Sequence, residues 1–127
     1  MKFGYFALTL LLLSGCSGNG TTLTDTQNST LNTDVGVVKV FKSDGAVQCE
    51  SAGTPVDEMA SELVNVGIDV ICGQKGDSGS AVATMCGGET TSINIYTIHD
   101  VSLLDAEAHG FKNVTVLPDY KDQACES

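Results

Sequence analysis

The stretch TPVDEMASELVNVGIDVIC, Thr54 to Cys72, sets the fold class. Its first half has helical period. Val56, Met59, Ala60, Leu63 and Val64 fall at i, i+3, i+4, i+7 and i+8, so they share one face. Thr54 stands at the N-cap position with Pro55 at the first helical position. Asp57 and Glu58 place negative charge beside the positive end of the helix dipole. Gly67 supplies a left-handed stop, and Ile68 beyond it is available for a hydrophobic contact. The run Ile68 to Cys72 then has strand length, so a helix passes directly into a strand.

Working outward, Val37-Val38-Lys39-Val40-Phe41 is a β-branched strand closed by the turn signal Ser43-Asp44-Gly45. On the other side, Gly73 to Ser92 is rich in glycine and serine and reads as a loop. Ile93 to Ile98 is a third strand. Ser102 with Asp105 marks the start of a short helix, Leu103 to His109, stopped by Gly110. Val114 to Leu117 alternates as a fourth strand, and Pro118 ends it. The order β-α-β-β-α-β predicts an α+β domain over residues 37–127. It resembles the split βαβ pattern of ferredoxin-like folds. That resemblance implies a four-stranded antiparallel sheet with two helices on one face and the other face open to a partner. A thioredoxin-like unit shares the opening β-α-β and is the alternative.

The first 15 residues read as an export leader. Lys2 gives a positive start, and Phe3 to Leu13 holds a single polar residue, Thr9. The apolar run is well short of the roughly 20 residues a membrane-spanning helix needs. Leu13-Ser14-Gly15-Cys16 resembles the bacterial lipobox. The resemblance implies cleavage before Cys16, a diacylglyceryl thioether on its thiol, and acylation of the freed amine by chains such as palmitate. Ser17 is not aspartate, which in such lipoproteins points to the outer membrane. Cys16 is then an anchor to the lipid bilayer, since two or more acyl chains hold where one does not. Residues 16–36 combine that anchor with a Ser-, Thr-, Asn- and Gly-rich linker. Its composition predicts a flexible tether with a typical reach of about 25 Å.

The formal net charge is −10, and all six cations are lysine. Planar bidentate recognition of phosphate by arginine is therefore excluded. An acid excess of this size also argues against nucleic acid as a partner.

With Cys16 assigned to lipid, Cys49, Cys72, Cys86 and Cys125 remain. An even number in an exported chain predicts two disulfides, and three connectivities are open. The favoured expectation is Cys72 with Cys86 and Cys49 with Cys125, because the sheet model brings the first pair to one hairpin end. No Cys-x-x-Cys occurs, so redox catalysis lacks its usual pair. Cys72, Cys86, His99 and His109 are the candidate metal ligands, yet no two are closely spaced, and no metal or cofactor is expected. Gly76-Asp77-Ser78-Gly79 resembles the nucleophile loop of chymotrypsin-like proteases. Both histidines follow Ser78, however, and the chain is too short for two barrels, so a loop turn is expected and no catalytic residue is assigned. Tyr96 and Phe111 are either core or an exposed recognition patch, with core favoured. Asp57, Glu58 and Asp105 serve helix starts; Asp119, Asp122 and Glu126 are expected in a solvated tail.

These observations point to a lipid-anchored envelope protein acting as a non-enzymatic binding module for an envelope protein or glycan. A small envelope redox protein, metal-binding protein or enzyme is the competing class.

Overall fold

The computed structural model describes residues 35–125; the expectations for the leader, Cys16 and most of the linker fall outside them. The described residues form an α+β unit with one antiparallel sheet and two α-helices. Its strands are β1 (Val37–Ser43), β2 (Val70–Asp77), β3 (Ser92–His99), β4 (Lys112–Asn113) and β5 (Lys121–Asp122). The helices are α1 (Val56–Val64) and α2 (Leu103–Ala108). The strand order is β4-β1-β3-β2-β5. Every pairing is antiparallel, so the thioredoxin-like alternative fails.

The expected four-stranded sheet is corrected in two places. Residues 114–116 form a 3-10 turn where a strand was expected, and the fourth strand is the two-residue segment before it. A fifth strand follows at the far edge. The ferredoxin-like reading therefore matches only in outline. The second strand is also displaced. It begins at Val70 and runs through Gly73-Gln74-Lys75-Gly76 to Asp77, which shortens the expected loop to residues 78–91. Two glycines and two polar residues gave that strand no alternating signal, yet pairing with the apolar β3 carries it.

Both helices pack on one face. Val40 of β1, Tyr96 and Ile98 of β3, Met59 and Leu63 of α1, and Ala106 of α2 form one buried cluster with Ile68 and Phe111. Tyr96 and Phe111 are thus core, their rings edge to face with centroids 5.8 Å apart. The Tyr96 hydroxyl donates to the Val56 carbonyl at 2.7 Å, and burial pushes its pKa well above the ordinary phenol value. Gly67 ends α1 with φ +85°, and the Ile68 N–H reaches back to the Leu63 carbonyl at 3.0 Å. At the start of α1 no side chain caps the helix, and the Thr54 N–H bonds the Asp44 carbonyl at 2.7 Å.

The second sheet face is not open as expected. The chain leaves β4 beside β1, crosses this face, and joins the opposite edge as β5 beside β2. Val114, Leu117 and Tyr120 of this strap cover Phe41, Ile93 and Ile95. Gly76 lies under it: a Cβ there would meet the Lys121 carbonyl oxygen at 2.7 Å. Asp122 closes the strap, accepting from Lys39 Nζ at 2.5 Å and Gln74 Nε2 at 2.7 Å. The Asp122 carboxylate holds the Lys39 pKa above its ordinary value, with burial acting the other way.

The three long strands give the domain two poles. Residue 35 enters at the pole formed by Val37, Val70 and His99, while Ser43, Asp77 and Ser92 end at the other. Seven residues of strand separate the poles by about 20 Å.

Candidate functional site

At the pole away from residue 35, the loops 44–55 and 78–91 emerge side by side. Asp44 fixes their roots. It is 2 % exposed. Its carboxylate accepts from Lys75 Nζ at 2.6 Å, from Ser92 Oγ at 2.5 Å and from the Ala46 N–H at 2.9 Å. Burial alone would raise the Asp44 pKa; the Lys75, Ser92 and Ala46 donors outweigh it, and the net shift is downward. Lys75 Nζ and Asn94 Nδ2 also reach the Thr54 carbonyl, at 3.4 and 2.9 Å. β1, β2, β3 and the end of the first loop are thereby joined through one buried carboxylate. Read along the chain, Asp44 is an ordinary turn residue, and nothing near it announces a partner 31 positions away.

The second loop is held at both ends. At its base, Thr91 Oγ1 donates to Asp77 at 2.5 Å and the Gly79 N–H at 2.8 Å, which together hold the Asp77 pKa low. Further out, Cys86 is bonded to Cys49, with Cα atoms 5.0 Å apart. Cys49 takes φ +67°, a left-handed conformation rare for a residue with a side chain. Beside it, Gln48 makes five hydrogen bonds to this loop. Its Nε2 donates to the Ala83 and Glu89 carbonyls, both at 2.7 Å, and its Oε1 accepts from the Met85 N–H at 3.0 Å. Its backbone exchanges bonds with Gly87 and Gly88 at 2.9 and 3.0 Å. A loop rich in glycine and alanine thus acquires a fixed course without a core of its own.

The surface so presented is partly apolar. Met85 is 62 % exposed and Val82 41 %. They line a depression of about 340 Å³ with Ala81, Ala83, Gly88 and Glu89. A neighbouring one of about 420 Å³ lies between residues 43–47 and 87–90. Neither loop contains a lysine or histidine.

The remaining cysteine pair is Cys72 with Cys125, Cα atoms 6.0 Å apart. All four cysteines of the domain are therefore bridged, but the expected partners are exchanged. Cys72 sits near the start of β2, at the pole away from Cys86, so those two were never at one hairpin end. β5 carries the tail back along β2 and delivers Cys125 to Cys72. Asp119 and Asp122 are exposed, as expected of a solvated tail, but the segment also serves as this structural strap; Glu126 lies outside the described residues.

Other sequence candidates disperse. Ser78 lies at the loop pole with its Oγ accepting from the Ser80 N–H, whereas His99 ends β3 at the opposite pole and His109 follows α2. Ser78 has no histidine beside it to act as base. Cys72 and Cys86 are consumed in separate disulfides, and among the described residues no three His, Cys, Asp or Glu converge as a metal site. No described helix is long and apolar enough to cross a membrane. Compared with protein-family models, curated proteins and solved structures, the chain matches none of them.

Proposed function

We propose that the chain is a lipid-anchored protein of the bacterial cell envelope that binds another envelope component, a protein or a glycan, through its loop pole. The leader 1–15 exports it, Cys16 carries the acyl chains, Ser17 directs it to the outer membrane, and the linker gives reach. The observation that carries the reading is the loop 78–91. It is bridged by Cys49–Cys86, bonded five times by Gln48, and leaves Val82 and Met85 in solvent at the pole opposite residue 35. A loop fixed before binding loses little entropy on contact, which favours recognition. The two depressions formed by the loops themselves offer Glu89 as their single titratable side chain; a third, at the root of loop 78–91, is lined by Asp77, Lys121 and Asp122, and the apolar lining at Val82 and Met85 favours binding there. In fold terms we infer that β4-β1-β3-β2 with its two helices is a ferredoxin-like unit, to which β5 is an added edge strand.

The test has two arms. Cys16→Ala is expected to move the chain from membrane to soluble fractions and to remove the acyl mass from the mature N-terminus. Unchanged fractionation and mass contradict the anchor. In intact envelopes, chemical crosslinking is expected to give a discrete adduct that Val82→Asp with Met85→Asp abolishes. An adduct indifferent to that pair contradicts recognition at the loop pole.

A further inference from the structure

Among the described residues, the most exposed aliphatic side chains lie at the other pole. Val101 is 77 % exposed and Leu104 78 %. Val101 lies in the 3-10 turn that leads into α2 and Leu104, three positions on, in the first turn of α2, so they share one side of this end. The Asp100 N–H donates to the Gly36 carbonyl at 2.9 Å, and Val37 pairs with His99. This turn therefore lies beside the point where residues 1–34 join the domain. Val35 and Val37, both exposed, add to the same apolar end.

We propose that this end is a foot that rests on a zwitterionic lipid surface, with Val101 and Leu104 entering the headgroup boundary. The inference rests on the reading of Cys16 as the acylated anchor. Two observations select lipid as the occupant. The undescribed chain joins here, with Cys16 about 20 residues upstream, and a linker that short gives a local concentration on the order of millimolar. Even a feeble affinity of the foot for lipid is then occupied. The charges select the lipid. Residues 35–38, 66–71 and 99–106 contain Asp69, Asp100 and Asp105 and no lysine, so an anionic surface repels this end while a zwitterionic one does not. A docked foot holds the loop pole outward, about 20 Å of strand from the membrane.

The chain has no tryptophan, so one introduced indole reports alone. Acylated full-length Leu104→Trp is reconstituted in phosphatidylcholine vesicles. A blue-shifted emission is expected, quenched at least about twofold by brominated acyl chains. The same substitution at the loop pole, Met85→Trp, is expected to stay unquenched. Adding Val101→Ser to Leu104→Trp, or replacing half the lipid with phosphatidylglycerol, is expected to reduce the quenching. Unquenched Leu104→Trp in a chain whose mass carries acyl groups on Cys16 overturns the foot alone. An unacylated mass overturns the anchor, and the foot with it. Stronger quenching with phosphatidylglycerol overturns the zwitterionic assignment.

Discussion

The two poles of this domain solve opposite problems with different residues. At the loop pole, backbone without an apolar core is immobilised by polar and covalent clamps: Asp44 at the root, Gln48 and Cys49–Cys86 further out. At the pole where residue 35 enters, the start of α2 and the turn before it leave Leu104 and Val101 in water with nothing of the described chain over them. The lesson is that stability and exposure are separated. Changes to the clamps at the loop pole should cost folding free energy, and changes to Val101 and Leu104 should cost almost none.

The largest expected effect comes from removing the loop disulfide. Its partners are 37 residues apart. By loop entropy, Cys49→Ser with Cys86→Ser should lower stability by about 4 kcal/mol, read from urea denaturation. A loss under half of that would mean the loop is held by its hydrogen bonds without the bridge. Next is Asp44→Ala, which strands Lys75 opposite an empty site. We expect about 3 kcal/mol, the low end for a broken buried pair, because a third of the Lys75 side chain remains in water.

The same residue sets a pH dependence. The folded-state pKa of Asp44 lies below its ordinary value of 3.8. Its contribution is therefore complete above that value and is lost as pH falls through the depressed one. The urea midpoint of the natural chain should fall below pH 4 more steeply than that of Asp44→Asn; parallel profiles would remove Asp44 from the account.

Gln48→Ala should cost about 2 kcal/mol and speed hydrogen exchange at the Met85, Gly87 and Gly88 amides while the sheet stays protected. Smallest of all, Val101→Ser with Leu104→Ser should change stability by no more than about 0.5 kcal/mol. A larger loss would show that these side chains pack in the fold and are not presented by it.

How much of this could be read from the chain depended on periodicity. α1 with its Gly67 stop, β1, β3 and the core placement of Tyr96 and Phe111 follow from local apolar spacing. β2 was half hidden because Gly73, Gln74, Lys75 and Gly76 show no alternation, and only β3 beside them makes them a strand. The strap was illegible for a related reason. Val114, Leu117 and Tyr120 recur every three residues along an irregular crossing, and a two-residue strand at its end leaves no sequence signature. The disulfide partners were misassigned because that crossing, invisible in the sequence, determines where Cys125 arrives. The Asp44 and Gln48 clamps are long-range, joining residues more than 30 positions apart, and a polar side chain does not declare a distant acceptor.

As proposed, one pole faces lipid and the other a partner. Photocrosslinking in intact envelopes tests this most directly, with a photoreactive residue placed at position 104 in one chain and at position 85 in another. Lipid adducts are expected from position 104 and a discrete protein or glycan adduct from position 85. Lipid adducts from position 85, or the discrete adduct from position 104, would contradict it.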